Sequence, residues 1–300
     1  MKYIFLVLFT FFVNLEAYEL GNLATASKTG KYYEIGQDIH DLFKKYDLTL
    51  TPLETTGSYE NLSILDDKSR LVKNAFFAVV QKDAISYYSY LRFQETQKNI
   101  YTSLPAILSL GTEQIHILVK EDSEIDFDVP TSYNVYCGEE TSGACVTAQY
   151  IKSAYNLDFQ YIQESKAEVL NSIRKGTVDI AIVVQEAPIS LLSEVKGVEL
   201  LDMPTNFVME DMYTSEEVTK VQYPWMKEDM HIYAVPRVLI TNLEDEKYAP
   251  VIESMVKIML LNQDYLVKEK SEYWEKVDFN YMDYKKFSNA SRRVIESINK

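Results

Sequence analysis

The segment LTLTPLETTGSYENL, residues 48–62, carries the pattern that decides the fold of this chain. Its alternating apolar run predicts a strand, and the Thr-Gly-Ser turn behind it predicts the start of a helix. Two further polar turns, TGKYYEIG at residues 29–36 and GEETSG at residues 138–143, also precede predicted helices. Strands that alternate with helices in this way predict an α/β fold with a mixed, mostly parallel sheet flanked by helices.

The same pattern extends along the rest of the chain. Apolar or alternating runs predict strands at 19–24, 48–54, 75–80, 114–120, 134–137, 158–162, 179–184 and 230–240. Helices are predicted from the three turns to about residues 46, 66 and 155, then at 167–175 and 250–262, with a charged and mostly helical tail to residue 300. Because the β-turn-α order of the first part recurs in the second, we expect two lobes joined by crossover strands. Lobe I would comprise 18–116 and 235–300, and lobe II would comprise 117–234.

The first residues have the order of a secretory signal peptide. Met1-Lys2 is followed by an apolar run to Val13 and then by a small residue, Ala17, so we expect cleavage before Tyr18 and a periplasmic location. The apolar run is shorter than the ~20 residues of a membrane span. An uncleaved single-helix anchor is the alternative.

Charge and hydropathy limit the classes of partner. The formal net charge of −15 at pH 7 argues against nucleic acid and against anionic membranes. A hydrophobic content of 47% is that of a globular chain rather than a disordered one. The remaining candidate partners are small molecules and other proteins.

The cysteines and histidines give different indications. Cys137 and Cys145 flank the third turn, where an exported protein can close a short disulfide loop; two free thiols are the alternative. His40, His116 and His231 lack the spacing of metal ligands, so we expect no metal site and no cofactor.

Each polar turn is a candidate anion site. The first N–H groups of a helix have no intrahelical partner, and the helix dipole adds positive potential at the same end. Ligands of open α/β sheets bind beyond the carboxyl ends of the strands, where these turns are expected. The candidate ligand-binding residues lie in the turns, at two strand ends and at the expected mouth of the cleft: Thr29, Gly30, Tyr32, Tyr33, Thr56, Gly57, Ser58, Asn61, Gln81, Thr141, Ser142, Gly143, Gln185 and Tyr213.

Several of these residues have a purely structural alternative. The turns could be ordinary helix caps, and one of Tyr32 and Tyr33 is expected to pack while the other binds. Glu113 is either an acceptor for a ligand ammonium or a solvated loop carboxylate. Arg237 either offsets a ligand carboxylate or pairs with the acidic surface.

The turns together resemble the TAXI family, the extracytoplasmic solute receptors of tripartite ATP-independent periplasmic (TRAP) transporters. The resemblance rests on residues 29–36, 54–62 and 138–143, followed in the expected order by Tyr213 and by Tyr-Pro at 223–224. It implies a two-lobe periplasmic-binding fold of type II that closes on an organic acid or amino acid and docks on a membrane permease. The chain departs from the family pattern where Thr29 replaces a glycine and Ala144 replaces a threonine.

The expected function is binding rather than catalysis. The sequence has no Gly-x-Ser-x-Gly elbow, and no histidine lies near either cysteine in sequence. The resemblance implies a small organic acid or amino acid as ligand and the permease subunits of a TRAP transporter as partners. A receptor of the same fold that reports its ligand to a membrane signalling protein is the alternative.

Overall fold

The computed structural model describes residues 18–67, 69–97, 100, 103–243, 246–279 and 287–298. The expected signal peptide, residues 1–17, lies outside them. Within these ranges, no helix combines the length and the apolar character needed to cross a bilayer.

Strands and helices alternate through most of the chain. The strands are β1 Tyr18–Ala24, β2 Leu48–Leu53, β3 Ala75–Gln81, β4 Ala106–Lys120, β5 Ser132–Tyr136, β6 Asp158–Tyr161, β7 Ile180–Gln185, β8 Val198–Leu200, β9 Thr214–Val218 and β10 Met230–Thr241. The helices are α1 Lys31–Lys44, α2 Ser58–Asp66, α3 Ser69–Val72, α4 Lys82–Thr96, α5 Gly143–Ala154, α6 Val169–Lys175, α7 Phe207–Met212, α8 Ala249–Leu261, α9 Gln263–Glu269 and α10 Asn289–Ile298. The predicted strands and the helices with stated bounds are all confirmed, although β4 begins at Ala106 rather than at residue 114.

The sheet is parallel toward both ends and antiparallel in the middle. Its strand order is β2-β1-β3-β10-β4-β7-β5-β6, with β8 and β9 paired beside β4 and β10. Parallel pairs join β1 to β2 and β3, and β5 to β6 and β7. The two long strands, β4 and β10, run antiparallel to each other and link the two parallel groups. The predicted α/β class, with a mixed sheet and crossover strands, is confirmed.

Buried apolar residues form three clusters around this sheet. The largest draws on residues 20–110 and 238–295, together with Val146. The other two lie within residues 115–235. β3 (AFFAVVQ) is buried along nearly its whole length, as expected for a strand covered by helices on both faces.

The helix α4 is an element that the sequence pattern did not predict. Its sequence, KDAISYYSYLRFQET, has weak helical periodicity, and it follows β3 directly with Gln81 as N-cap. The Gln81 side chain makes no capping hydrogen bond, so the usual Ser, Thr, Asp or Asn signal for a helix start is missing. The helix ends at Thr96, and its C-cap, Gln97, adopts the left-handed conformation.

Candidate functional site

A cavity of about 250 Å³ lies where the N-terminal turns of α1, α2 and α5 converge on the ends of β3 and β7. Most of the candidate residues line it: Gly30, Tyr32, Thr56, Gly57, Ser58, Gln81, Ser142, Gly143 and Gln185. Residues that lie far apart in sequence therefore surround a single space. Their role in binding a ligand stays a prediction.

Helix N-termini supply hydrogen-bond donors at this cavity. The N-caps of α1, α2 and α5 are Gly30, Gly57 and Ser142, and each lines it. Within the described part of the chain, several backbone N–H groups of the first turns of α2 and α5 have no hydrogen-bond partner: those of Ser58, Tyr59, Gly143 and Ala144. Such groups, aligned with two helix dipoles, attract an anion.

Two glycines allow the second and third turns to approach each other closely. A Cβ atom on Gly143 would overlap Gln81 Oε1, and one on Gly57 would lie 3.4 Å from the Cα of Ser142. Gly57 also has a φ of +130°, which side-chain-bearing residues rarely adopt. The geometry of the turns explains why glycine occurs at both positions.

Ser58 and Gln81 connect the second turn to the end of β3. The Oγ atom of Ser58 accepts a hydrogen bond of 3.1 Å from the backbone N–H of Gln81. The Oε1 atom of Gln81 is buried, and no hydrogen-bond donor reaches it from any described residue. This oxygen is packed against Gly143 at the start of α5.

A buried carboxylate lies at the floor of the cavity. Glu113, in β4, is 2% exposed and accepts a 2.6 Å hydrogen bond from the Tyr32 hydroxyl. Its other oxygen lies 3.3 Å from Nη1 of Arg237, which is fully buried and also donates to the carbonyl oxygen of Leu110. Burial raises the pKa of Glu113, whereas Arg237 and Tyr32 oppose that rise. The alternatives of a solvated loop carboxylate and of a surface ion pair for Arg237 are therefore wrong.

Two lysines at the cavity were not among the candidates. Lys31 lies inside the first turn, and its Nζ atom is 2.9 Å from Glu34 Oε1. Lys166 precedes α6, and its Nζ atom donates to Gln185 Oε1 at 3.3 Å. The position of Lys31 in the turn was a usable signal, whereas nothing in the sequence around Lys166 marks it.

The third turn is held by a covalent link and by a cap. Cys137 and Cys145 form a disulfide with a Cα–Cα distance of 4.8 Å, which confirms the predicted pairing. Ser142 Oγ donates to the Cys137 carbonyl oxygen and accepts from the Cys145 N–H, both at 3.2 Å. The predicted capping role of Ser142 is therefore confirmed.

Four candidate residues of the turns do not line the cavity. Thr29 is exposed, and Tyr33 is half-buried on the helix beside Tyr32, which is the tyrosine that reaches the cavity. Thr141 shares a 2.5 Å hydrogen bond with the Thr56 hydroxyl at the rim.

Asn61 is the fourth of these, and it is a structural residue. Its amide donates to the carbonyl oxygens of Thr25 and Val79 at 2.6 and 2.8 Å and accepts from the Thr55 hydroxyl at 2.7 Å. These bonds tie the second turn to β3 and to the residue after β1. The residue that the sequence suggested as a handle for the ligand instead holds the loop in place.

Tyr213 also lies away from the cavity. It is 4% exposed, and its hydroxyl donates to Asp83 Oδ2 at 2.9 Å. Burial, and then the neighbouring charge of Asp83, raise the pKa of Tyr213. A position at the mouth of the cleft is therefore wrong for this side chain.

Metal-binding side chains do not cluster at this site. Over the described ranges, no group of three or more His, Cys, Asp or Glu residues is arranged to hold a metal ion.

Comparisons with known proteins place the chain in a family. A sequence model described as the NMT1-like family matches residues 23–275. No curated protein matches the sequence. Among solved structures, a TctC solute-binding protein from Polaromonas is 14% identical with a TM-score of 0.47, over 85% of this chain and 89% of that chain.

Two further solved structures are similar at the same level. The periplasmic aliphatic sulphonate-binding protein SsuA of Escherichia coli is 15% identical with a TM-score of 0.48, over 86% of this chain and 76% of its own. GshT of Streptococcus mutans, described in connection with glutathione import, is 13% identical with a TM-score of 0.48, over 87% and 97% of the two chains. Because the family model spans most of the sequence, from residue 23 to residue 275, the chain belongs to the NMT1-like family.

Proposed function

We propose that the protein is an extracytoplasmic receptor that closes on a small carboxylate or amino acid. The observation that carries this proposal is the convergence of three helix N-termini, from both parts of the chain, on one cavity. Backbone N–H groups of helix first turns bind a carboxylate without a dedicated arginine. A volume of about 250 Å³ suits a small metabolite better than a drug-sized ligand.

The remaining polar groups would orient the ligand. Lys31 and Lys166 add positive charge at the rim, while the Glu113 carboxylate offers an acceptor at the opposite end. A ligand with a carboxylate at the helix N-termini and a donor group toward Glu113 would match both ends. Dicarboxylates would use only the contacts at the helix N-termini, whereas amino acids would also donate to Glu113. Binding experiments can therefore separate these two ligand classes.

The finer assignment is that the receptor serves a TRAP-type secondary transporter as a TAXI protein. The resemblance of its turns at residues 29–36, 54–62 and 138–143 supports this assignment. Under this proposal, residues 1–17 direct export to the periplasm, and 18–116 with 235–300 closes against 117–234. Deleting the gene should then abolish uptake of the ligand that the purified protein binds.

Thermal unfolding against a panel of dicarboxylates, keto acids and amino acids tests the proposal. A ligand at a hundredfold excess over its Kd adds about 2.7 kcal/mol to the free energy of unfolding. For a chain of this size the unfolding midpoint should rise by roughly 5–10 °C. A panel in which no compound raises the midpoint would contradict the proposed receptor.

A further inference from the structure

Asp83 is a buried carboxylate outside the cavity. It is the second residue of α4 and is fully buried. Its Oδ2 atom accepts hydrogen bonds from the Thr147 hydroxyl at 2.6 Å and from the Tyr213 hydroxyl at 2.9 Å. Its Oδ1 atom accepts from the backbone N–H of Ala84 at 2.7 Å. All the donors in this set are neutral.

The hydrogen bonds of Asp83 connect elements from different parts of the chain. Asp83 follows β3, whose residues belong to the largest core cluster. Thr147 lies on α5, and Tyr213 precedes β9 and belongs to a core cluster drawn from residues 115–235. The Thr147 hydroxyl also lies 3.2 Å from the carbonyl oxygen of Gly143, which lines the cavity. The Asp83 contacts are therefore one helical turn from a residue that lines the cavity.

The energetics favour a role in geometry over one in bulk stability. Burial raises the pKa of Asp83 to about 6, and the charge of Glu113 adds to the rise, so the ionised group is held at a cost. Hydroxyl donors offset that cost only when both lie at hydrogen-bond distance. A buried acceptor of this kind selects one arrangement of the elements that meet at it.

We propose that Asp83, Thr147 and Tyr213 form a polar latch that positions the first turn of α5 over the cavity. The three are positioning residues, since none of them lines the cavity. The inference rests on the proposed function of the cavity, but it does not depend on the identity of the solute.

Hydrogen exchange of the ligand-free protein tests the latch. Tyr213→Phe and Thr147→Val each remove one hydroxyl that donates to the buried carboxylate of Asp83. We expect both hydroxyl-removing variants to raise backbone exchange in the two facing turns, residues 55–61 and 138–146, on the order of fivefold. The matched control is Tyr223→Phe, which removes another buried tyrosine hydroxyl and should leave the relative exchange of these turns unchanged.

Two outcomes would overturn the latch. One is unchanged exchange in both turns for Tyr213→Phe and Thr147→Val. The other is a uniform increase over the whole chain, equal to that of Tyr223→Phe, which would indicate a general loss of stability. Because no ligand is added, a negative result in this experiment would count against the latch only. The ligand panel would still test the proposed receptor separately.

Discussion

Two buried clusters of this protein each pair a titratable group with a tyrosine hydroxyl, but they differ in position. Asp83 and Tyr213 join elements of separate core clusters beside the cavity. His116 and Tyr223 lie in the second part of the chain, where the tyrosine hydroxyl is 3.0 Å from His116 Nε2. Because the contacts are of the same type, we expect their position to decide whether losing one loosens the turns at the cavity or lowers global stability.

The hydrogen bonds of the His116–Tyr223 cluster are all made with residues between 114 and 223. The Tyr223 hydroxyl accepts the N–H of Ile189 at 2.9 Å, so its own proton is directed to His116 Nε2. The Nδ1 atom of His116 lies 3.1 Å from the carbonyl oxygen of Gln114, which assigns the ring proton to that nitrogen. Burial lowers the pKa of His116 to about 4, so the ring is neutral in the folded protein. The ring N–H of His116 and the Tyr223 hydroxyl therefore each have an acceptor in the same part of the chain.

The largest expected effect is an opposite pH dependence of the two clusters. His116 has a folded-state pKa of about 4 against an ordinary 6.5, so its stabilisation is present above pH 6.5 and is lost as the pH falls toward 4. Asp83 has a folded-state pKa of about 6 against an ordinary 3.8, so its burial destabilises the protein above pH 6 and that loss is relieved toward pH 4. Each contribution is up to roughly 3 kcal/mol.

Two variants separate these contributions. Relative to wild type, Asp83→Asn should become more sensitive to acid between pH 6.5 and 4, and His116→Gln should become less sensitive. Denaturant unfolding at a series of pH values measures both slopes, and His231→Gln, at an exposed histidine, is the control. Parallel pH profiles for Asp83→Asn and His116→Gln would contradict the opposite pH dependence expected for the two clusters.

Reduction of the Cys137–Cys145 disulfide should affect the region of one cluster more than that of the other. The bridge spans a sequence separation of 8. Opening a loop of this size lowers the free energy of unfolding by roughly 2–3 kcal/mol. Exchange should rise more in residues 138–147, which include Thr147, than in residues 114–118 around His116, where only the loss of global stability acts. Equal loss of protection in both segments after treatment with a reductant would count against the distinction.

Tyr223→Phe should lower global stability by about 1–2 kcal/mol, since it leaves His116 Nε2 and the Ile189 N–H without their partner. Urea unfolding measures the loss. Binding of any hit from the ligand panel should keep its affinity in this variant. A large loss of affinity at unchanged stability would assign Tyr223 to the site and remove the contrast with Tyr213.

The smallest effect is expected at the rim, where Thr56 and Thr141 share a 2.5 Å hydrogen bond. The contact joins the second and third turns, as the latch joins α4 to α5, but water reaches it. Thr141→Val should therefore change stability by at most about 0.5 kcal/mol and turn exchange by less than about twofold. An effect as large as that of Tyr213→Phe would show that burial is not what distinguishes the latch.

The sequence predicted the local elements of this fold well because its signals are local. The apolar run at residues 48–54 and the Gly57-Ser58 turn gave β2 and the start of α2. The first half of β4 was missed because Gly111, at a φ of +80°, interrupts its apolar pattern.

Side-chain partners were harder to predict because they depend on distant chain segments. The Asn61 amide is bound by carbonyl oxygens of Thr25 and Val79, which no local pattern brings together. The pairing of Glu113 with Arg237 arises only because β4 and β10 are neighbours in the sheet. The turns of the candidate site were thus predictable, whereas its floor and its latch were not.

The central claim is that the turns before α2 and α5 together hold a small anionic solute. Titration calorimetry of the panel compounds against wild type and against the double variant Ser58→Ala with Ser142→Ala tests it most directly. Ser193→Ala, at an exposed serine, is the matched control. We predict that at least one carboxylate binds wild type and the control equally and binds the double variant at least about tenfold more weakly. Unchanged affinity in the double variant, or no binding of any compound to wild type, would contradict the claim.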